Sequence, residues 1–218
     1  MKYIKNCILL FLIILVFSPI INENHSTALA ASKPIIYIGD SRTEGMENCI
    51  SKKDREKIVF YAETSMGYEW FADDVVAKVT KQLKTYPSID FKIVISLGIN
   101  DHLGMIDEYV DTYNELAKNE WAGYEIDIIS ICPVDEEKMK ANCLYPQTNA
   151  SIEESNNYII EHLDSENLSY IDLYSKMHSG TGLMKRYDTV YDGAHYTPDA
   201  YKKIWKLIRQ FLVITTSK

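Results

Sequence analysis

Beyond residue 33 the chain alternates between two hydrophobic periods. Residues 34–39, 57–62, 91–97, 125–132 and 168–173 are short runs rich in Ile, Val, Tyr and Phe, and they predict five strands. Between them, apolar residues recur every three or four positions. Phe71, Val75, Val79 and Leu83 form one such stripe; Ile106, Tyr109, Val110, Tyr113 and Leu116 a second; Ile152, Ile159, Ile160 and Leu163 a third. Each predicts a helix that buries one face. The clearest is the last, where Tyr201, Ile204, Trp205, Ile208, Phe211 and Leu212 share a face. Thr197 before Pro198 supplies its start, a hydroxyl for the free N–H groups and a proline where no N–H is needed. Ser151 with Glu154 predicts a capping box for the preceding helix.

Apolar strands alternating with helices predict a parallel sheet covered on both faces, a three-layer α/β/α sandwich. In the flavodoxin-like strand order 2-1-3-4-5, ligands are expected where the order reverses, beyond the carboxyl ends of the first and third strands. Those exits are Gly39-Asp40-Ser41 and Gly98-Ile99-Asn100-Asp101. No repeat, low-complexity tract or linker breaks the pattern, so residues 31–218 are expected to form one domain.

The first thirty residues have a different composition. Lys2 and Lys5 precede an apolar run from Cys7 to Phe17, and Ala28-Leu29-Ala30 offers a small-x-small site. This predicts a signal peptide, residues 1–30, cleaved after Ala30, and a secreted product. Eleven apolar residues fall short of the roughly 20 that a spanning helix needs, so no stable membrane span is expected after cleavage. Removing Lys2, Lys5 and Glu23 leaves the chain one unit more negative than the formal -8 of the whole sequence. An acidic chain without a Lys/Arg cluster is poorly suited to phosphate backbones, so nucleic acid is not an expected partner. Cys49, Cys132 and Cys143 remain. Cys132 and Cys143 can close a loop outside the cytoplasm, or all three can stay free. No CxxC pair or HExxH helix suggests a metal, and no cofactor is expected.

Ser41 lies on the turn after the first strand, ahead of a short helix expected over residues 44–49. Alone, Gly-Asp-Ser is an ordinary turn or cap. The weight comes from Asp192-Gly193-Ala194-His195 before the last helix, where a turn can set Asp192 against Nδ1–H of His195 and free Nε2 to take a serine's proton. Asn100 ends the third strand and can donate its amide to an oxyanion, and Gly67, after the second strand, lets a backbone N–H approach closely. A base of this kind works only when neutral. Activity is therefore expected to fall as the pH drops through the range where imidazoles ordinarily titrate, around 6.5.

Taken together, these segments resemble the SGNH hydrolases, or GDSL-type esterases. Gly39-Asp40-Ser41 resembles block I, Gly67 is the candidate for the block II glycine, Gly98-Ile99-Asn100-Asp101 is similar to GxND, and Asp192 to His195 resembles DxxH. Gly-Asp-Ser-Arg-Thr and Pro133-Val134-Asp135-Glu136 are similar to a small secreted bacterial branch. The resemblance implies Ser41, His195 and Asp192 as catalytic triad and Ser41, Gly67 and Asn100 as oxyanion hole. It further implies an ester substrate, small or carried on carbohydrate and by preference acetyl, and no metal. Block I of the family often ends in leucine, where this chain has Arg42. Rival readings are a silent glycan-binding module and a lipase or thioesterase for longer acyl chains.

Other residues receive structural readings. Asp101 is expected to brace its loop and His102 to face the rim or solvent; His162 and His178 are expected at the surface. Tyr68, Trp70 and Tyr145 suit either a sugar platform or packing. The connection over residues 134–150 is long and, with residues 179–191, is expected to border the substrate pocket.

Overall fold

The computed structural model describes residues 33–101, 105–144 and 146–215, and side chains through Leu212. The signal-peptide expectation, His102 and Tyr145 lie outside those residues. Among the described residues, no helix is long and apolar enough to cross a membrane.

Five strands form one parallel sheet: β1 (Ile35–Gly39), β2 (Ile58–Ala62), β3 (Lys92–Ser96), β4 (Glu125–Ile129) and β5 (Leu168–Ile171), in the order β2-β1-β3-β4-β5. This is the expected order. Gly39 is level with Ala62 on one side and Ser96 on the other, so the exits of β1, β2 and β3 open together at one rim.

The period of two divides each strand between two cores. Ile36, Ile38, Ile93, Ile95, Ile126 and Ile128 face Phe71, Val75, Val79, Tyr109, Tyr113 and Ile152. Tyr37, Val94, Ile129 and Ile171 face Met46, Ile204, Trp205, Ile208 and Leu212. The helices are α1 (Ser41–Glu47), α2 (Lys52–Arg55), α3 (Tyr68–Trp70), α4 (Val76–Thr85), α5 (Ile106–Lys118), α6 (Glu136–Asn142), α7 (Asn149–His162), α8 (Tyr174–Met177) and α9 (Pro198–Thr215). A π turn at Phe71–Val75 joins α3 to α4 and keeps Phe71 and Val75 inward. The only described buried ion pair within the sheet, Lys92 with Asp127 at 2.9 Å, joins β3 to β4.

Several expected boundaries move, for identifiable reasons. α1 begins at Ser41, three residues before the expected start, because Asp40 caps it by accepting from the Arg42 N–H at 2.8 Å. Ser151 is not a helix cap: Thr148 is, and Ser151 is its partner in the box, each side chain taking the other's N–H at 3.1 and 3.2 Å. The 134–150 connection is not an irregular loop, since Asp135 caps α6 within it. Ile160 is 51 % exposed and does not belong to the buried stripe of α7; two asparagines do.

Those asparagines explain why β4 stops at Ile129 rather than at Cys132. Asn156 accepts from the Ile131 N–H at 2.8 Å and donates to the Ile131 carbonyl at 2.9 Å. Asn149 does the same for Val134, at 2.9 and 3.0 Å. The extended strap 130–134 thus takes these hydrogen bonds from a helix, and a buried backbone that would otherwise be unpaired is satisfied.

Candidate active site

Gly39 lets the chain turn sharply out of β1. A Cβ there would sit 1.9 Å from the Thr43 hydroxyl oxygen, so only glycine lets α1 fold back this closely. The turn leaves Ser41 at the first helical position, at the sheet's carboxyl rim.

The second contribution comes from the turn ahead of α9. Thr189 bridges Tyr196, and the Val190 N–H donates to the His195 carbonyl at 2.8 Å. Gly193 adopts φ +75°, and a Cβ on it would lie 2.4 Å from the Asp135 carbonyl. Within this closed turn Asp192 Oδ1 accepts the N–H groups of Ala194 and His195 at 2.8 and 2.9 Å. Oδ2 is left for Nδ1 of His195, at 2.7 Å. Nε2 of the same ring is 2.7 Å from Ser41 Oγ. Residues 154 apart in sequence thus form one continuous chain of hydrogen bonds.

The electrostatics suit that chain. Burial works to raise the Asp192 carboxyl, but the backbone N–H and ring of His195 and the Ala194 N–H outweigh it and hold the group below the usual carboxylate range. Asp192 therefore stays ionised and keeps the ring proton on Nδ1. With that tautomer Nε2 accepts from the Ser41 hydroxyl, the geometry of a serine activated by a general base. Asp40, behind the serine, is almost wholly buried, and burial pushes its carboxyl up to about 6 against the pull of the Arg42 guanidinium and N–H.

The exits of β2 and β3 are tied together at the same rim of the sheet. Asn100 Nδ2 donates to the Met66 carbonyl at 2.9 Å. Since an amide carries two N–H donors, one is committed to the loop and one is available. Asp101 braces the loop as expected, accepting from the Tyr68 N–H at 3.2 Å and the Tyr109 hydroxyl at 2.6 Å. Its carboxylate also explains Gly67, where a Cβ would come within 2.3 Å of Oδ1. Ser65, in the same loop, has φ +64°, a left-handed conformation uncommon for serine.

Not every expected site residue joins in. The Tyr68 ring packs edge-on against Tyr109 with centroids 5.1 Å apart and its hydroxyl bonds Thr112, while Trp70 packs against the same core. Both are packing residues rather than a sugar platform. His162 stacks on Tyr158 at the surface and His178 on Tyr174. All three described cysteines are free, and burial pushes the Cys132 thiol up to about 12, which leaves it unreactive.

One residue that the sequence marked only as a departure is built into the site. Arg42, 9 % exposed, donates from Nε to the Ala194 carbonyl at 2.9 Å and from Nη1 to the Cys132 carbonyl at 2.8 Å.

Residues 35–208 match the family model described as GDSL-like lipase/acylhydrolase. No curated protein matches the sequence. Among solved structures, a GDSL-like lipase from Bacteroides thetaiotaomicron is similar at 18 % identity and TM-score 0.63, covering 83 % of this chain and 88 % of that one. The C-terminal catalytic domain of peptidoglycan O-acetyltransferase A from Streptococcus pneumoniae is similar at 16 % identity and TM-score 0.55, covering 86 % and 96 %. An acetyl xylan esterase is similar at 15 % identity and TM-score 0.51, covering 81 % and 98 %. At these identities the likeness is one of fold.

Proposed function

We propose that the chain, which belongs to the GDSL-like lipase/acylhydrolase family, is a secreted serine esterase that hydrolyses small acyl esters through Ser41, His195 and Asp192. What carries this reading is the pair of 2.7 Å contacts that join hydroxyl, imidazole and carboxylate. Ser41 Oγ attacks the ester carbonyl while Nε2 of His195 takes its proton. The oxyanion that forms is held by the N–H groups of Ser41 and Gly67 and the available N–H of Asn100. Collapse expels the alcohol, which receives the proton back from Nε2, and leaves Ser41 acylated. Water then repeats the sequence and frees the acid.

The acyl group is proposed to be acetyl and the alcohol a carbohydrate. An exported esterase meets such esters, and two of the similar folds are named for acetyl transfer or removal. The reading for longer acyl chains has one observation in its favour. Leu144 and Tyr191 are 93 % and 76 % exposed, and their neighbours Cys143 and Asp192 touch, so two apolar side chains flank the histidine turn. A panel of nitrophenyl esters from acetate to palmitate separates the two: a rate that peaks at acetate supports the proposal, and one that rises with chain length overturns it. A fluorophosphonate that fails to label Ser41 in folded protein would favour the silent binding module.

Asn100→Ala removes the only side-chain donor assigned to the oxyanion and is expected to lower kcat about 100- to 1000-fold, with little change in KM. An unchanged kcat would remove Asn100 from the mechanism.

The pH profile should show an acid limb, because a protonated Nε2 cannot accept from Ser41. Asp192, held below the carboxylate range, stays ionised there and adds no second step. Asp40, pushed up to about 6, also titrates on the acid side, so the profile is to be repeated in Asp40→Asn, which keeps the cap. The limb should persist; its disappearance would transfer it from His195 to Asp40.

A further inference from the structure

We propose that Arg42 is a positioning residue that sets the distance between nucleophile and base. This rests on the reading of Ser41 and His195 as the reacting pair. Arg42 directly follows Ser41, and the carbonyl that its Nε holds belongs to Ala194, which directly precedes His195. A single side chain thus ties the neighbour of one reacting residue to the neighbour of the other. Nη1 anchors the same group to the Cys132 carbonyl in the strap 130–134, and that strap is fixed to α7 by Asn149 and Asn156. The Tyr196 ring lies against the guanidinium, 5.2 Å from its carbon to the ring centroid, and the Tyr196 hydroxyl donates to the Pro133 carbonyl of the strap. The nucleophile helix, the histidine turn and the strap after β4 therefore meet at one buried cation.

The tie to two carbonyls suits arginine. A planar fork can reach two carbonyls in different directions while its face rests on a ring. Lysine offers one point of attachment. Leucine, frequent at this position in the family that the sequence resembles, offers none and would leave the Ala194 and Cys132 carbonyls without this donor. Asp40 is the carboxylate facing the cation, with the Cys132 thiol and the hydroxyls of Tyr196 and Tyr201 around it. Arg42 and Tyr201 also line a partly open pocket of about 30 Å³.

The test compares Arg42→Leu and Arg42→Lys with wild type in nitrophenyl acetate hydrolysis and in the rate at which a fluorophosphonate labels Ser41. Misplacing reacting groups by about 1 Å costs on the order of 100-fold, so Arg42→Leu should lose 10- to 100-fold in both kcat and labelling rate, with KM within about threefold. Arg42→Lys should recover part of that loss. In wild-type protein the Arg42 Nε–H should give a separate, slowly exchanging NMR signal. The proposal is overturned if folded Arg42→Leu keeps wild-type kcat, if only KM changes, if neither variant folds, or if the Nε–H exchanges as fast as an exposed arginine's. Wild-type protein that leaves Ser41 unlabelled would instead overturn the esterase reading, while the NMR signal still reports on the tie.

Discussion

Ser41→Ala is expected to lose about a millionfold in kcat, the scale seen when a serine nucleophile is removed from a triad. The reason is local. The substitution deletes the atom that both attacks the carbonyl and donates to Nε2 of His195, and no other hydroxyl is described within hydrogen-bond reach of that nitrogen. Little else should change. Ser41 opens α1, alanine is a good residue there, and the Asp40 side chain caps the helix through Arg42 rather than Ser41. The protein should therefore melt within a few degrees of wild type and bind substrate normally. Nitrophenyl acetate turnover, fluorophosphonate labelling and a thermal melt check this together. A variant that keeps a tenth of its activity would exclude Ser41 as nucleophile.

Asp192→Asn should cost about 10,000-fold in kcat, and the backbone dictates why. Oδ1 of Asp192 accepts two N–H groups, those of Ala194 and His195. An asparagine must place its carbonyl oxygen in that position, because an NH2 group cannot accept them. Its NH2 then points at Nδ1 of His195, which can only respond by giving up its proton. The ring becomes the other tautomer, with N–H directed at Ser41 Oγ, and no lone pair remains to take the serine's proton. Geometry is kept while function is lost. Crystals of the variant should show an unchanged ring position, and a drop of less than tenfold would mean that Asp192 does not set the tautomer.

Much of this was legible in the sequence because the relevant signals are local or periodic. Unbroken apolar runs such as Ile36 to Ile38 and Ile93 to Ile95 implied a sheet buried on both faces, and its order placed the Ser41 and Asn100 turns at one rim. Asp192 and His195 were legible because three residues span one turn. Harder to read were interactions in which a polar side chain replaces an expected backbone partner. Asn149 and Asn156 look like ordinary helix residues, and nothing in their spacing names Val134 and Ile131 as their targets. For the same reason residues 130–132 read as strand: Ser130 still donates to the Ile171 carbonyl of β5, but the hydrogen bonds of Ile131 and the Cys132 carbonyl go to Asn156 and Arg42. Arg42 could be flagged as unusual, yet its function depends on a carbonyl 152 residues away. The shift of the α7 cap from Ser151 to Thr148 was a contest between two hydroxyls that each have a plausible partner, and Thr148 and Ser151 bond each other's N–H groups.

The asparagine clasp on the strap also restricts how this fold can vary. Seven residues of helix rise about 10.5 Å. Three residues of extended chain advance about 10 Å. Asn149 and Asn156 therefore keep step with Val134 and Ile131, like two teeth of a rack on matching teeth of its pinion. Inserting or deleting a single residue between either pair would throw the teeth out of mesh, whereas the surface hairpin at His178–Leu183 faces no such gauge. Length changes among relatives are thus expected in the hairpin and absent from these two intervals.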